Sequence, residues 1–190
     1  MMMSGFADVL TLRLTGTMNI HLNRLRPGMD HKDFLIKYGG IFEHSPWVAE
    51  AVFEAGGGLL TDAETLGECF ESVFLGADPV FQLTTLRAHP QLACALADPH
   101  DLTLDSANEQ SGAGLDRCSA EELAEFSRLN ADYNNKFGFP FIIAVRGLTR
   151  HEILDVFRQR LINDRQSEFQ TALRQTCRIA RLRIGDTHNV

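Results

Sequence analysis

The apolar residues of this chain fall at spacings of three and four along most of its length. The segments that carry them open on a polar cap or a proline, a pattern that predicts helices almost throughout. "HSPWVAEAVFEAGGG" offers Ser45 as N-cap, Pro46 as the first helical residue and Gly56 to Gly58 as a stop. "TDAETLGECFESVFLG" opens with a capping box from Thr61 to Glu64 and closes at Gly76. "DPVFQLTTLRAHP" begins on an Asp-Pro pair and should end near His89, because the residue before a proline is pushed out of helical torsions. Beyond a polar loop at about 97–105, a second box, Ser119 to Glu122, starts a helix with Leu123, Phe126, Leu129 and Tyr133 on one face and Gly138 as its stop. A third, Thr149 to Glu152, precedes Ile153, Phe157 and Leu161, and a last stretch, about 164–183, aligns Phe169, Leu173, Thr176 and Ala180. Only "FPFIIAVRG" reads as a strand, and one strand makes no sheet. The expected architecture is all-α, a single-domain bundle of seven or eight helices over residues 18–190, with 1–17 an unstructured N-terminal extension.

Length and composition narrow what such a bundle does. With 190 residues, 44% hydrophobic and 23% charged, the chain has the profile of an ordinary globular protein. It is long enough to bury roughly 70% of the surface its unfolded form exposes, so its core requires neither metal nor disulfide. A net charge of -7 disfavours a nucleic-acid partner, which calls for a basic surface. Cys69, Cys94, Cys118 and Cys177 form no CxxC pair and have no histidine at ligand spacing, so they read as reduced, mostly buried thiols of a cytoplasmic protein. No apolar run reaches the ~18 residues that cross a bilayer. Arg13 interrupts the one apolar segment near the start, which makes a poor signal peptide.

Four places could carry chemistry. His89 stands at a helix end against Pro90, where irregular backbone fixes a side chain, and an imidazole titrates near neutrality. In "SANEQSGAGL", Ser106 and Glu109 are three apart; this is a capping-box spacing, and capping is the reading that spacing alone favours. A helix N-terminus that gathers a carboxylate and free amides would also suit a polar ligand. "NKFGFPFIIAVRG" is either a buried connector or a segment whose backbone groups find partners on a bound heterocycle. Arg183 stands in "CRIARLRIGD" beside Arg178 and Arg181, and nothing local separates it from solvated charges at a helix C-terminus.

In order along the chain, "GGIFEHSPWVAE", "RAHPQLA", "SANEQSGAGL", "LNADYNNKFGFPFIIAVRG" and "RLINDRQSEFQTALRQTCRIARLRIGD" resemble the OHCU decarboxylase family over roughly residues 20–186. Members convert 2-oxo-4-hydroxy-4-carboxy-5-ureidoimidazoline to (S)-allantoin in urate degradation. The resemblance implies an all-α enzyme, a homodimer without cofactor or metal, acting on a small molecule. It places catalytic roles on His89, Glu109 and Arg183, and substrate contacts on Pro90, Ser106, Gln110 and the segment holding Phe139, Phe141, Ile142 and Ile143. Arg183 and the N–H groups of residues 139–143 are expected to address the substrate ring, and Ser106 and Glu109 to accept hydrogen bonds from its ureido arm. Two other readings stay open: an enzyme of this architecture acting on another ureido or imidazole compound, and a helical interaction module without activity.

Overall fold

The computed structural model describes residues 28–93 and 103–188. The expected boundary at residue 18 and Cys94 lie outside them. Eight α-helices occur among the described residues: α1 (His31–Tyr38), α2 (Trp47–Glu54), α3 (Ala63–Gly76), α4 (Pro79–Arg87), α5 (Leu104–Gly112), α6 (Ala120–Phe137), α7 (Arg150–Arg160) and α8 (Arg165–His188). Short 3-10 turns follow α2 and α5.

Caps explain where the helices begin. Both later boxes form: the Ser119 and Thr149 hydroxyls each accept from the N–H three residues on, while Glu122 and Glu152 reach back to the cap N–H. The other capping expectations need correction. Asp62, one residue after Thr61, accepts from Thr65 N–H and caps α3, since a carboxylate satisfies a helix N-terminus better than a hydroxyl. Ser45 makes no side-chain cap; it is buried, and Pro46 precedes the first residue of α2. The Asp78-Pro79 start of α4 holds. Gly138 ends α6 with φ 80°, a left-handed torsion that costs glycine little.

Helix α8, longer than expected at its C-terminal end, is the spine. It packs along α3 and also meets α4 and α6. Its apolar face joins Leu66, Phe70 and Phe74 of α3 to Phe126, Leu129 and Tyr133 of α6 in one core. Of the described cysteines only Cys177 is buried, and burial pushes its thiol up to about 12; Cys69 and Cys118 are half-buried, so "mostly buried" overstated the case. "FPFIIAVRG" is non-helical and pairs with no strand among the described residues. It is a buried connector between α6 and α7, and side chains supply its backbone partners: Arg87 Nε donates to Gly138 O, Arg160 Nη1 to Ile142 O, and Gln175 Oε1 accepts from Ala144 N–H.

Candidate active site

Helix α4 ends as its proline demands, and the turn after it places His89 inward, with only 9% of its surface exposed. His89 Nδ1 lies 2.9 Å from Thr85 O. A carbonyl only accepts, so Nδ1 carries the proton, and in the neutral ring Nε2 keeps a lone pair. Burial holds this imidazole below its ordinary 6.5, outweighing the Thr85 carbonyl and the charge of Glu43, which pull the other way. Two neighbours pin the turn. Gln110 Oε1 accepts from Ala93 N–H and its Nε2 donates to Gln91 O, while Asn130 Nδ2 donates to Leu92 O. Ala93 itself sits at φ 56°, left-handed for a residue with a side chain.

The capping reading of "SANEQSGAGL" is overturned. Thr103 is the N-cap, its hydroxyl accepting from Ser106 N–H, so the helix starts inside the expected loop and Ser106 and Glu109 lie within α5. Both face Arg183, which α8 brings in from the opposite side. Arg183 Nε and Nη2 grip Glu109 at 2.8 and 2.9 Å, a bidentate pair. Nη2 also donates to Ser106 Oγ, and Nη1 to Glu43 Oε2 at 3.0 Å and Ile41 O at 3.4 Å. A guanidinium has five N–H bonds, and these five contacts match them, so the expectation that Arg183 addresses a substrate ring gives way to one in which it holds Glu109. Arg178 and Arg181 are not in this group: Arg181 pairs with Glu71 at the surface.

Glu43, between α1 and α2, is the residue the sequence did not single out. It is 1% exposed, and three donors meet it: Thr103 Oγ1 at 2.7 Å, Ser106 Oγ at 3.0 Å and Arg183. Burial raises its carboxyl, but Thr103, the charge of Arg183 and Ser106 together outweigh this and leave it below its ordinary 4.5. The available signal was a glutamate set between Ile41-Phe42 and Ser45-Pro46, a charge in an otherwise apolar corner.

These groups surround a tight cleft of about 30 Å³, lined by His89, Pro90, Ser106, Glu109, Gln110 and Arg183 and by Phe141, Ile142 and Ile143. Nine of the ten expected residues are there. Phe139 is not; it packs edge-on against Tyr133 in the core. Pro140 has no N–H to offer, which shortens the expected run of donors. The connector is held by a second buried arginine. Arg160 sits 4.4 Å over the Phe141 ring, pairs with Glu168 at 2.5 Å and holds Ile142 O at 2.6 Å. Tyr133 and Asn163 complete the hydrogen bonds of Glu168. No group of three or more metal-ligating side chains occurs among the described residues.

Fold and cleft together define an all-helical protein whose site holds an imidazole with a lone pair at Nε2 and a carboxylate fixed by an arginine, the kinds of group that enzymes use to move protons. The family model for OHCU decarboxylase matches residues 27–185, and the chain belongs to that family. The uric acid degradation bifunctional protein PucL of Bacillus subtilis is 37% identical over 83% of this chain, which spans 31% of that longer protein. The 2-oxo-4-hydroxy-4-carboxy-5-ureidoimidazoline decarboxylase of Halalkalicoccus jeotgali is 35% identical, with 83% of this chain and 86% of that one covered. A crystal structure of (S)-allantoin synthase superposes with a TM-score of 0.65 at 28% identity, covering 82% of this chain and 50% of the other.

Proposed function

We propose that this chain decarboxylates 2-oxo-4-hydroxy-4-carboxy-5-ureidoimidazoline to (S)-allantoin, in the urate degradation to which its relatives belong. The observation that carries the reading is the cleft itself: His89, Ser106, Glu109 and Arg183 converge on one small volume against the Phe141–Ile143 backbone. When the carbon to carboxylate bond breaks, carbon dioxide leaves, and its electron pair passes into the neighbouring carbon-nitrogen system of the ring. The substrate is its own electron sink. His89 Nε2 takes the proton of the ring hydroxyl as that carbon becomes a carbonyl, the ring nitrogen that received the electron pair takes a proton from solvent, and the adjacent carbon is protonated from a single face. Arg183 is engaged by protein groups and so does not clamp the departing carboxylate, a contact that would stabilise the ground state as well as the transition state. Ile142 and Ile143 line the same cleft, and in this reading their N–H groups meet ring oxygens where charge develops. Ser106 and Glu109 accept from the ureido N–H groups.

The same proposal includes a homodimer in the cytoplasm without a nucleic-acid partner, which the acidic charge of -7 supports. Among the described residues no helix is long and apolar enough to cross a membrane. The test generates the unstable substrate in place from urate with the two preceding enzymes and follows allantoin by circular dichroism. Fast growth of one enantiomer, lost in His89→Ala, is the expected result. An optically inactive product formed equally fast without the protein would move the site to another ureido or imidazole compound, or to an interaction module.

A further inference from the structure

Glu43 does not line the cleft, yet it touches two residues that do. The directions of those contacts are forced by chemistry. A carboxylate cannot donate and a guanidinium cannot accept. The single hydrogen of the Ser106 hydroxyl must therefore point at Glu43 Oε2, 3.0 Å away, while Ser106 Oγ accepts from Arg183 Nη2 at 3.1 Å. What Ser106 has left for the cleft is a lone pair. Thr103 spends its hydrogen on the other carboxylate oxygen of Glu43. Arg183, with one edge on Glu43, has its other edge on both oxygens of Glu109.

The turn carrying Glu43 is built to hold it there. His44, the next residue, has φ 46°, a left-handed torsion in a residue with a side chain, and Ser45 N–H closes the turn on Phe42 O. His44 stays exposed while Phe42, Glu43 and Ser45 are buried. Counting Glu43 and Glu109 against Arg183, the cluster carries two negative charges and one positive.

We propose that Glu43 is a positioning residue of the cleft: by taking the Ser106 hydrogen and one edge of Arg183, it makes the Ser106–Glu109 wall accept hydrogen bonds and unable to donate them. Such a wall selects ligands that present N–H groups, as a ureido arm does, over ligands that present a carbonyl or carboxylate at that place. The proposal rests on the reading that the ligand carries a ureido group.

Glu43→Met tests it, because it keeps the length of the side chain and removes both acceptor oxygens. Without the carboxylate the Ser106 hydrogen is released and turns toward the cleft as a donor, while Arg183 keeps its bidentate pair with Glu109. The probes are (S)-allantoin, which has the ureido arm, and hydantoin, the same ring without it, each titrated into the full chain by calorimetry. The parent is expected to prefer allantoin, and Glu43→Met to lose about tenfold of that preference, the worth of one hydrogen bond to an ordered acceptor, while its hydantoin affinity stays within about twofold. In a Ser106→Ala background the same change should leave the ratio of the two affinities where it was, because the group whose polarity it sets is gone. A preference that survives in folded Glu43→Met protein overturns the role of Glu43 alone. Equal loss of both ligands together with a lower unfolding temperature also overturns it, in favour of a structural role. A parent that does not distinguish the two ligands overturns the ureido reading and this proposal with it. Should Glu43→Met not fold, Glu43→Asp keeps the charge but is one methylene shorter and releases Ser106. An unchanged preference in that variant overturns the proposal, and a reduced one supports it.

Discussion

Single side chains in this protein take their meaning from their partners more than from their spacing. The sequence placed His89 correctly, because proline fixes where α4 ends, but the Ser106 to Glu109 spacing suggested a cap that Thr103 supplies instead. The revised role changes what a mutation should do. Ser106→Ala removes a hydrogen bond to the buried Glu43 rather than a helix cap, so its expected cost is about 1.5–3 kcal/mol, the range for bonds to charged groups, measured by urea unfolding. His89→Ala should lose about a hundredfold or more in turnover while unfolding near the parent temperature, as a residue does whose task is proton transfer. The neutral ring is the active form, and burial depresses its pKa against Thr85 and Glu43, with Arg183 and His44 adding to the depression. The acid limb of the kcat/KM profile should therefore lie below 6.5, and a limb above that value would contradict a neutral acceptor at Nε2. Glu43 was beyond reach of the sequence, and Arg183 was singled out by family resemblance alone, because the contact between them joins residues 140 apart.

Elements were more legible, since capping and apolar spacing act within a few residues. Ser119 and Thr149 open α6 and α7 as their boxes demand, whereas Asp62 displaces Thr61 because two adjacent cap candidates compete for the same N–H groups. Ser119→Ala should cost about 1 kcal/mol and Thr61→Ala close to nothing, a contrast that thermal unfolding resolves. The connector after α6 was half-legible: its apolar run announced burial and a non-helical backbone, but its partners are side chains on α4, α7 and α8 that periodicity does not reveal. Arg160 carries the greatest weight among them. Arg160→Leu leaves Glu168 buried without its partner and frees the Ile142 carbonyl, so we expect a loss of about 3–5 kcal/mol in urea unfolding. Phe141, stacked on Phe157 at 3.8 Å, would lose the guanidinium above it as well.

For the whole molecule, the buried groups of the cleft set how the fold responds to acid. His89 lies below its ordinary 6.5 through burial, and Glu43 below its ordinary 4.5 because its donors outweigh burial. On acidification the unfolded chain therefore takes up protons before the folded one, and the stability each group contributes, whole above its ordinary value, is lost as pH falls through its folded value. The unfolding temperature should hold from about pH 8 to about 6.5, decline below that, and fall faster below about 4.5 as Glu43 and the cap acids Glu122 and Glu152 follow. The convergence on Arg183 also bears on biosynthesis. A ribosome adding roughly 5–20 residues each second makes Glu43 between about 7 and 28 s before the arginine that neutralises it, given the 140 positions between them. Until then the nascent chain holds two carboxylates, Glu43 and Glu109, destined for an interior that is not yet closed. Docking of α8 completes the core and assembles the cleft in one event, so an interrupted translation product lacking it has neither, and is recognisable to quality control as unfinished rather than as a slow enzyme.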